Sequence, residues 1–262
     1  KSILVDEVPT ELPDFIIPRM GSGTTYFALA VIRHLERLGV YSVNGSASID
    51  TVKDKLFTLQ ILAQSGLPIP KTILVKFPFQ TSIAEHQFSF PIIVKTLSGS
   101  QGSGVFLSTD KSSFSDLMQL IQVTNPSANI ILQEFIQQSH GRDLRVLTVG
   151  GRVISAMQRI AAHGSFKANF SLGGSVEKFE LSNELEWLVL EITRILQLDV
   201  AGIDLLFDEN GFKICEVNSS PGFEGMELAC SNNVAAEILK FVQVRLSHFS
   251  DSIINYSSKS IN

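Results

Sequence analysis

The stretch that most constrains this chain is residues 200–222, VAGIDLLFDENGFKICEVNSSPG. FKICEVN alternates like a strand and places Phe212, Ile214, Glu216 and Asn218 on one face. VAGIDLLF reads as a second strand with one acid, Asp204, inside an apolar run, and Asp208-Glu209-Asn210-Gly211 between the two is a turn signal. The simplest reading is a hairpin that gathers Asp204, Glu216 and Asn218. Two carboxylates and a carboxamide offer hard oxygen ligands of the kind Mg²⁺ takes. The competing reading is one solvated acid on each strand. A buried acid, however, needs a partner, and a cation is one.

Register separates these readings, because a slip of one residue moves every side chain to the other face. An Asn210-Gly211 two-residue turn, the favoured pair, would set Glu209 opposite Phe212 and Asp204 opposite Val217. Asp204 and Glu216 would then lie on opposite faces. A Glu209-Asn210-Gly211 loop would pair Asp208 with Phe212 and bring Asp204 opposite Glu216, with Asn218 on the same side. A shared metal site therefore requires the longer loop or a bulge.

With 262 residues the chain can form one large or two to three small domains, and 44% hydrophobic residues supply a core. A net charge of −5 argues against a nucleic-acid binder. Cys215 and Cys230 form no CxxC pair and no secretory signal is visible, so a reducing cytoplasm is the default. No apolar run approaches the ~20 residues that span a bilayer, so no membrane partner is expected. SILV at residues 2–5 could be a strand with nothing before it, and a missing N-terminal segment is expected.

Residues 15–18 read as a strand, followed by a glycine-containing loop with Arg19 and a helix over 24–38 with Phe27, Val31, Leu35 and Leu38 on its apolar face. Arg19 could hold a carboxylate or phosphate, or be a surface charge. A second helix is expected over 51–65, with Val52, Leu56, Leu59, Leu62 and Ala63 inward; Lys55 within it reads as a solvated lysine. In PIIVKT, Lys95 interrupts an apolar strand, so it must snorkel out or meet an anion. SGSQGSG (98–104) then turns into the strand 105–108. It is no P-loop, lacking GK[ST] and a following helix, but small residues suit a flap whose backbone N–H groups surround phosphate. NIILQEFI (129–136) could present backbone hydrogen bonds to an adenine edge. Arg145, Arg159 and Lys167 make the next region basic, as an anionic substrate would require, and His163 reads as a loop residue. Ser182 or Asn183 caps a helix with Trp187, Leu190, Ile195 and Leu196 inward; another helix covers 233–249, and the serine-rich tail 250–262 is expected to be disordered.

DKLFTLQILAQSGLPIP, IIVKTLSGSQGSGV, ILQEFI, GRDLRV, FKANFSLGG, VAGIDLL and CEVNSSPGFEG occur in the order found in ATP-grasp ligases. The chain most closely resembles the RimK-type glutamate ligases, over residues 14–241. The resemblance implies an α/β ATP-grasp fold with ATP between two mixed sheets. It divides the chain into a remnant of an N-terminal α/β domain (1–46), a central subdomain with the flap (47–132), a C-terminal subdomain with the metal site (133–249) and the tail. It implies that Lys55 and Lys95 contact ATP phosphates, joined by Ser100, Gln101, Gly102, Ser103 and Gly104 of the flap. It implies that Gln133, Glu134, Phe135 and Ile136 hold adenine, that Asp143 binds ribose, and that Lys167, Ala168 and Asn169 lie near the phosphates. Arg159 would face the reacting acyl phosphate, and Asp204, Glu216 and Asn218 would take two Mg²⁺, with Glu216 bridging and Mn²⁺ able to substitute. Arg19, Arg159 and Ser219 would meet the substrate. The family commonly reads Arg-Ser-Asn where this chain has Lys167-Ala168-Asn169, and lysine lacks the bidentate fork.

The implied reaction is ATP-dependent ligation of a carboxylate to an amine through an acyl phosphate, with glutamate or a similar amino acid added to a protein C-terminus or small carboxylate. Ligases of the lysine-biosynthesis or N-acetylaspartylglutamate type, and a non-catalytic nucleotide-binding module, are the alternatives. A homo-oligomer is compatible with either.

Overall fold

The computed structural model describes residues 2–20, 26–97, 104–162, 165–166, 168 and 173–259, the side chains of residues 2 and 248–259 excepted. Strands β1 (Ser2–Val5) and β2 (Val8–Glu11) form an antiparallel pair. Strand β3 (Phe15–Ile16) runs parallel to β4 (Tyr41–Ser42) across helix α1 (Tyr26–Arg37). Two helices follow, α2 (Ser46–Lys53) and α3 (Lys55–Gln64).

The first sheet comes from β5 (Thr72–Val75), β6 (Ile92–Thr96), β7 (Val105–Ser108) and β8 (Ile130–Glu134), in the order β5-β8-β6-β7. Helices α4 (Thr81–Gln87) and α5 (Lys111–Thr124) cover one face, where Ala84, Phe114 and Met118 meet Ile92, Val94, Ile130 and Leu132. The period-2 alternation sends Ile93, Lys95, Ile131 and Gln133 to the other face.

The second sheet holds β9 (Arg142–Val149), β10 (Arg152–Ile160), β11 (Ser175–Lys178), β12 (Val200–Asp208) and β13 (Gly211–Asn218), in the order β11-β10-β9-β12-β13. Helix α6 (Asn183–Ile195) packs Leu185, Leu188, Val189 and Ile192 against Leu144, Val146, Ile203, Leu205 and Ile214, together with Val52 and Leu62 of α2 and α3. On the opposite face α7 (Glu224–Cys230) and α8 (Val234–Lys259) cover Leu147, Val149, Met157 and Val200. That second face is apolar at one end and charged at the other. Both sheets are antiparallel throughout.

Several local expectations change. Helix α1 buries Leu29, Ile32 and Leu35, while Phe27 and Val31 are exposed: Leu35 belongs to two overlapping helical series, and the core takes the other one. The expected helix over 51–65 is two helices broken at Asp54, whose carboxylate caps the second by accepting from the Phe57 N–H at 3.0 Å. Trp187 points to solvent, because α6 turns the Leu185–Leu188–Ile192 stripe inward. Helix α8 continues to Lys259, through most of the expected disordered tail; no glycine or proline interrupts residues 234–259. Residues 260–262 lie outside the described residues.

The β12–β13 hairpin resolves its register in a third way. Glu209-Asn210 make a two-residue turn closed by Asp208 opposite Gly211, which has φ 129°. Phe207 faces Phe212 and Leu205 faces Ile214; a bulge at Cys215 then adds one residue, and Asp204 lies opposite Glu216. The Asn210-Gly211 turn is not used, and the bulge supplies the shift a shared face requires. Gly202 pairs with Asn218, and a Cβ there would sit 2.5 Å from Pro221 Cβ. Gly202→Ala is therefore expected to displace the loop after β13 and cost ~1–3 kcal/mol, as overpacking does; an unchanged thermal midpoint would disprove this.

Candidate active site

Between the two sheets lies a cleft with an empty volume of about 1030 Å³. The first sheet gives it Ile93, Lys95, Val105, Ile131 and Gln133; the second gives Asp143, Arg159, Asp204, Leu206, Cys215 and Glu216. Glu134 at the end of β8 adds to it, as do Phe135 and Ile136 in the segment joining the sheets, while α3 contributes Lys55 and Leu59. The described residues thus bring Lys55, Lys95, residues 133–136, Asp143, Arg159, Ala168, Asp204 and Glu216 around one space.

The floor is a row of charges crossing three strands. Asp143 on β9 faces Arg159 on β10, and Arg145, two residues along β9, faces Asp204 on β12. Arg159 donates from Nε and Nη2 to the two Asp143 oxygens, both at 2.6 Å, and from Nη2 to Asp204 Oδ2 at 3.0 Å. Arg145 donates to both oxygens of Asp204, at 2.6 and 2.7 Å. Burial alone would push the Asp204 carboxyl up, but Arg145 and then Arg159 outweigh it and hold it at about 2. Burial opposes the charge on Arg159 as well, and the two carboxylates reverse that effect, so its pKa lies above the ordinary arginine value.

Next along the row, Glu216 meets Lys55 Nζ at 3.5 Å. Asn218 lies on the same face, its Nδ2 buried with no hydrogen-bond partner among the described residues. A half-turn of that amide would present Oδ1 instead. A divalent cation fits this donor set in kind: a part-exposed carboxylate held only by the 3.5 Å contact to Lys55, one unsatisfied carboxamide, and a second carboxylate directly across the strand pair, which would have to exchange a side-chain cation for the metal. Among the described residues no group of three His, Cys, Asp or Glu is placed to hold a metal, so the carboxamide is needed to complete such a site.

The remaining expected residues are placed as follows. Glu134 accepts from the Lys71 N–H at 2.8 Å and pairs with Lys213 Nζ at 2.5 Å; burial pushes its carboxyl up, but Lys213 and Lys71 together outweigh it and hold the pKa below the ordinary value. Its carboxylate is thus fixed, and Phe135 stands edge-on to His140 beside it. Gln133 donates to Thr72 Oγ1. Gly104, with φ 77°, accepts from the Thr96 N–H at 2.9 Å where the β6–β7 connection closes. Ser100, Gln101, Gly102, Ser103, His163, Lys167 and Asn169 lie outside the described residues. Arg19 and Ser219 are not part of the cleft lining. Arg19 donates to the Pro221 carbonyl at 2.7 Å and lies 5.3 Å from the Phe223 ring centre; the Ser219 carbonyl accepts from Asn44 Nδ2.

Three residues had escaped the sequence-based site. Arg145 was seen as a basic residue, and the Asp143-x-Arg145 alternation already put it on the Asp143 face. Cys215 enters the cleft through the bulge, 3.8 Å from Lys95 Nζ, and burial pushes its thiol pKa up more than Lys95 lowers it. Asn44 is a four-bond hub: its Nδ2 donates to the carbonyls of Val200 and Ser219, and its Oδ1 accepts from the N–H groups of Asp199 and Val200. Nothing in the local pattern around Asn44 signals that role.

Two antiparallel sheets facing one cleft lined by lysines, arginines and carboxylates have the layout of an ATP-grasp architecture. Residues 52–242 match the RimK-like ATP-grasp domain and residues 1–49 the RimK PreATP-grasp domain. The chain belongs to the RimK-like ATP-grasp family. A Marinomonas sp. (strain MWYL1) protein named "Probable alpha-L-glutamate ligase" is 37% identical over 243 residues, covering 92% of this chain and 80% of that protein. A RimK domain ATP-grasp protein from Sphaerobacter thermophilus DSM 20745 superposes with a TM-score of 0.71 at 18% identity, covering 92% of this chain and 86% of that one. The ATP-grasp ligase PsnB, solved with a minimal precursor, Mg and ADP, gives a TM-score of 0.67 at 20% identity, covering 84% of this chain and 68% of the other. With the family goes the reaction class: the chain is an ATP-dependent carboxylate–amine ligase. No helix among the described residues is long and apolar enough to cross a membrane.

Proposed function

We propose that this enzyme adds glutamate, or a closely similar amino acid, to a carboxylate acceptor in the cytoplasm, using ATP with Mg²⁺. The observation that carries this reading is the cleft itself, lined by Lys55 and Lys95 together with Asp204 and Glu216, with Asn218 on the same face of β13 as Glu216. Adenine would lie against the backbone of residues 133–136, and ribose near Asp143. Phosphates would meet Lys55, Lys95, Ser100, Gln101, Gly102, Ser103 and Gly104, with Lys167 and Asn169 nearby.

An acceptor carboxylate oxygen attacks the γ-phosphorus, the bond to the bridging oxygen breaks, and ADP leaves. The amine then attacks the acyl carbon, phosphate departs, and the nitrogen loses a proton. Arg159 would meet charge that develops on the transferring group. Two Mg²⁺, for which Mn²⁺ can substitute, would neutralise phosphate charge when held by Asp204, Glu216 and Asn218. Residues 98–104 would exclude water from an intermediate that otherwise hydrolyses.

The test is nucleotide product analysis during turnover with glutamate and a panel of carboxylate acceptors. ADP and phosphate should accumulate in equal amounts and depend on both substrates. AMP and pyrophosphate as products would instead mean adenylation.

A further inference from the structure

Every carboxylate assigned to metal in this cleft already carries a side-chain cation. Lys55 occupies Glu216, and Arg145 with Arg159 occupies Asp204. The two arginines differ in what else they hold. Arg159 is 4% exposed and keeps Asp143 by a bidentate pair whatever happens at Asp204. Arg145 spends both of its hydrogen bonds among the described residues on Asp204, and its side chain is 18% exposed.

Asp204 has little room for a third cation. Its Oδ2 accepts from two guanidinium groups and its Oδ1 from one, so three of roughly four acceptor sites are taken. A dication bound to that carboxylate would stand within a few ångströms of two like charges in a buried setting, where repulsion is weakly screened. One arginine must therefore yield. Arg145 makes no hydrogen bond to a second carboxylate among the described residues, its charge reaching Asp143 only through space, and its side chain is partly exposed; Arg159 is bonded to a second carboxylate and is buried.

The geometry points to Arg145 as a placeholder for the divalent cation. It holds Asp204 charged and oriented while the cleft is empty, and it gives up that carboxylate when nucleotide-bound Mg²⁺ arrives. Arg159 stays on Asp143 and loses only its longest bond. This rests on the assignment of Asp204 to metal proposed above. It makes Arg145 a positioning residue whose removal acts oppositely on metal binding and on the empty protein.

Nitrogen-15 spectra of the arginine side chains in the full chain, with and without saturating Mg-ADP, read this directly. The Nε–H of Arg145 should lose its protection from exchange with Mg-ADP bound, and that of Arg159 should keep it. Calorimetric titration of Arg145→Gln with Mg²⁺ at saturating ADP should show Mg²⁺ binding at least about fivefold tighter than in the unsubstituted protein, because a competitor is gone. The same variant should melt at a lower temperature without ligand and recover most of the difference with Mg-ADP. Continued protection of Arg145 Nε–H in the complex would overturn the exchange, as would unchanged or weaker Mg²⁺ binding in Arg145→Gln. If the variant does not fold, the spectra of the unsubstituted protein decide alone. Absence of Mg²⁺-dependent nucleotide binding in the unsubstituted protein would remove the metal assignment itself, and the exchange with it; tight Mg-ADP binding with Arg145 unmoved would spare the first and refute the second.

Discussion

Glu216→Ala is expected to lower Mg²⁺-dependent ADP formation by at least ~10³-fold while the protein stays folded. The separation of effects follows from how Glu216 is held. Its side chain is 36% exposed and its ion pair with Lys55 is a 3.5 Å contact, so its loss costs the fold little. Its place on β13, directly across from Asp204 and one alternation from Asn218, is where cation charge would be needed during phosphoryl transfer. Losing several kcal/mol of such stabilisation corresponds to about three orders of magnitude in rate. Circular dichroism melting and an ADP-release assay on the same preparation check both halves. Turnover like that of the unsubstituted enzyme would overturn the assignment of Glu216 to metal.

Arg159→Ala should behave differently, because this guanidinium is buried between two carboxylates. Removing it leaves Asp143 with no cation at hydrogen-bonding distance among the described residues and Asp204 with Arg145 alone. Breaking a buried pair from one side typically costs 3–5 kcal/mol. At roughly 2–4 °C per kcal/mol for a chain of this size, the melting temperature should fall by ~6–20 °C. A residue facing the reacting acyl phosphate acts mainly on the rate; burial adds a stability effect beside it. The kcat of the remaining folded enzyme should still drop by ~10²-fold, the order seen for one lost electrostatic contact.

The acid limb of stability should move as well. Asp204 titrates at about 2 instead of 3.8, a depressed carboxylate, so its contribution is complete above ~4 and is lost as pH falls toward 2. With one of its two cations gone its pKa rises, and acid unfolding of Arg159→Ala should begin at higher pH. An unchanged melting temperature and acid midpoint would show that Arg159 is not the cation holding these carboxylates together.

What could be read from the chain before folding depended on the range of the interaction. Strand identity at 92–96, 105–108 and 200–218 followed from alternation and glycine punctuation, which act within a few residues. The shared face of Asp204, Glu216 and Asn218 followed as a conditional statement, since register is a pairing property that one strand alone does not carry. The break at Asp54 was hidden because the helical spacing of Val52, Leu56, Leu59 and Leu62 runs straight through it, and one capping residue does not interrupt that period. The Arg145–Asp204 and Arg159–Asp143 pairs were hidden for another reason. Arg145 meets Asp204 through the pairing of β9 with β12, 59 positions apart, and Arg159 meets Asp143 across β9 and β10, 16 apart, where a register shift between Val153 and Ser155 decides which residue it faces. Asn44 was harder still, because its four bonds run to backbone groups more than 150 positions away.

The extra residue at Cys215 gives β13 a change of phase partway along its length. Before it, the strand sends Phe212 and Ile214 toward the hydrophobic layer under α6; after it, Glu216 and Asn218 face away from that layer, and Val217 takes over the inward positions. A strand of the same length without the bulge would keep every side chain chemically intact, yet a continuous alternation through Cys215 would aim Glu216 and Asn218 into the layer formed by Leu62, Ile192 and Ile203, and turn Val217 out. The position of the metal-facing groups is thus set by where β13 breaks its alternation, and losing or moving that break is a more drastic event than most changes of identity.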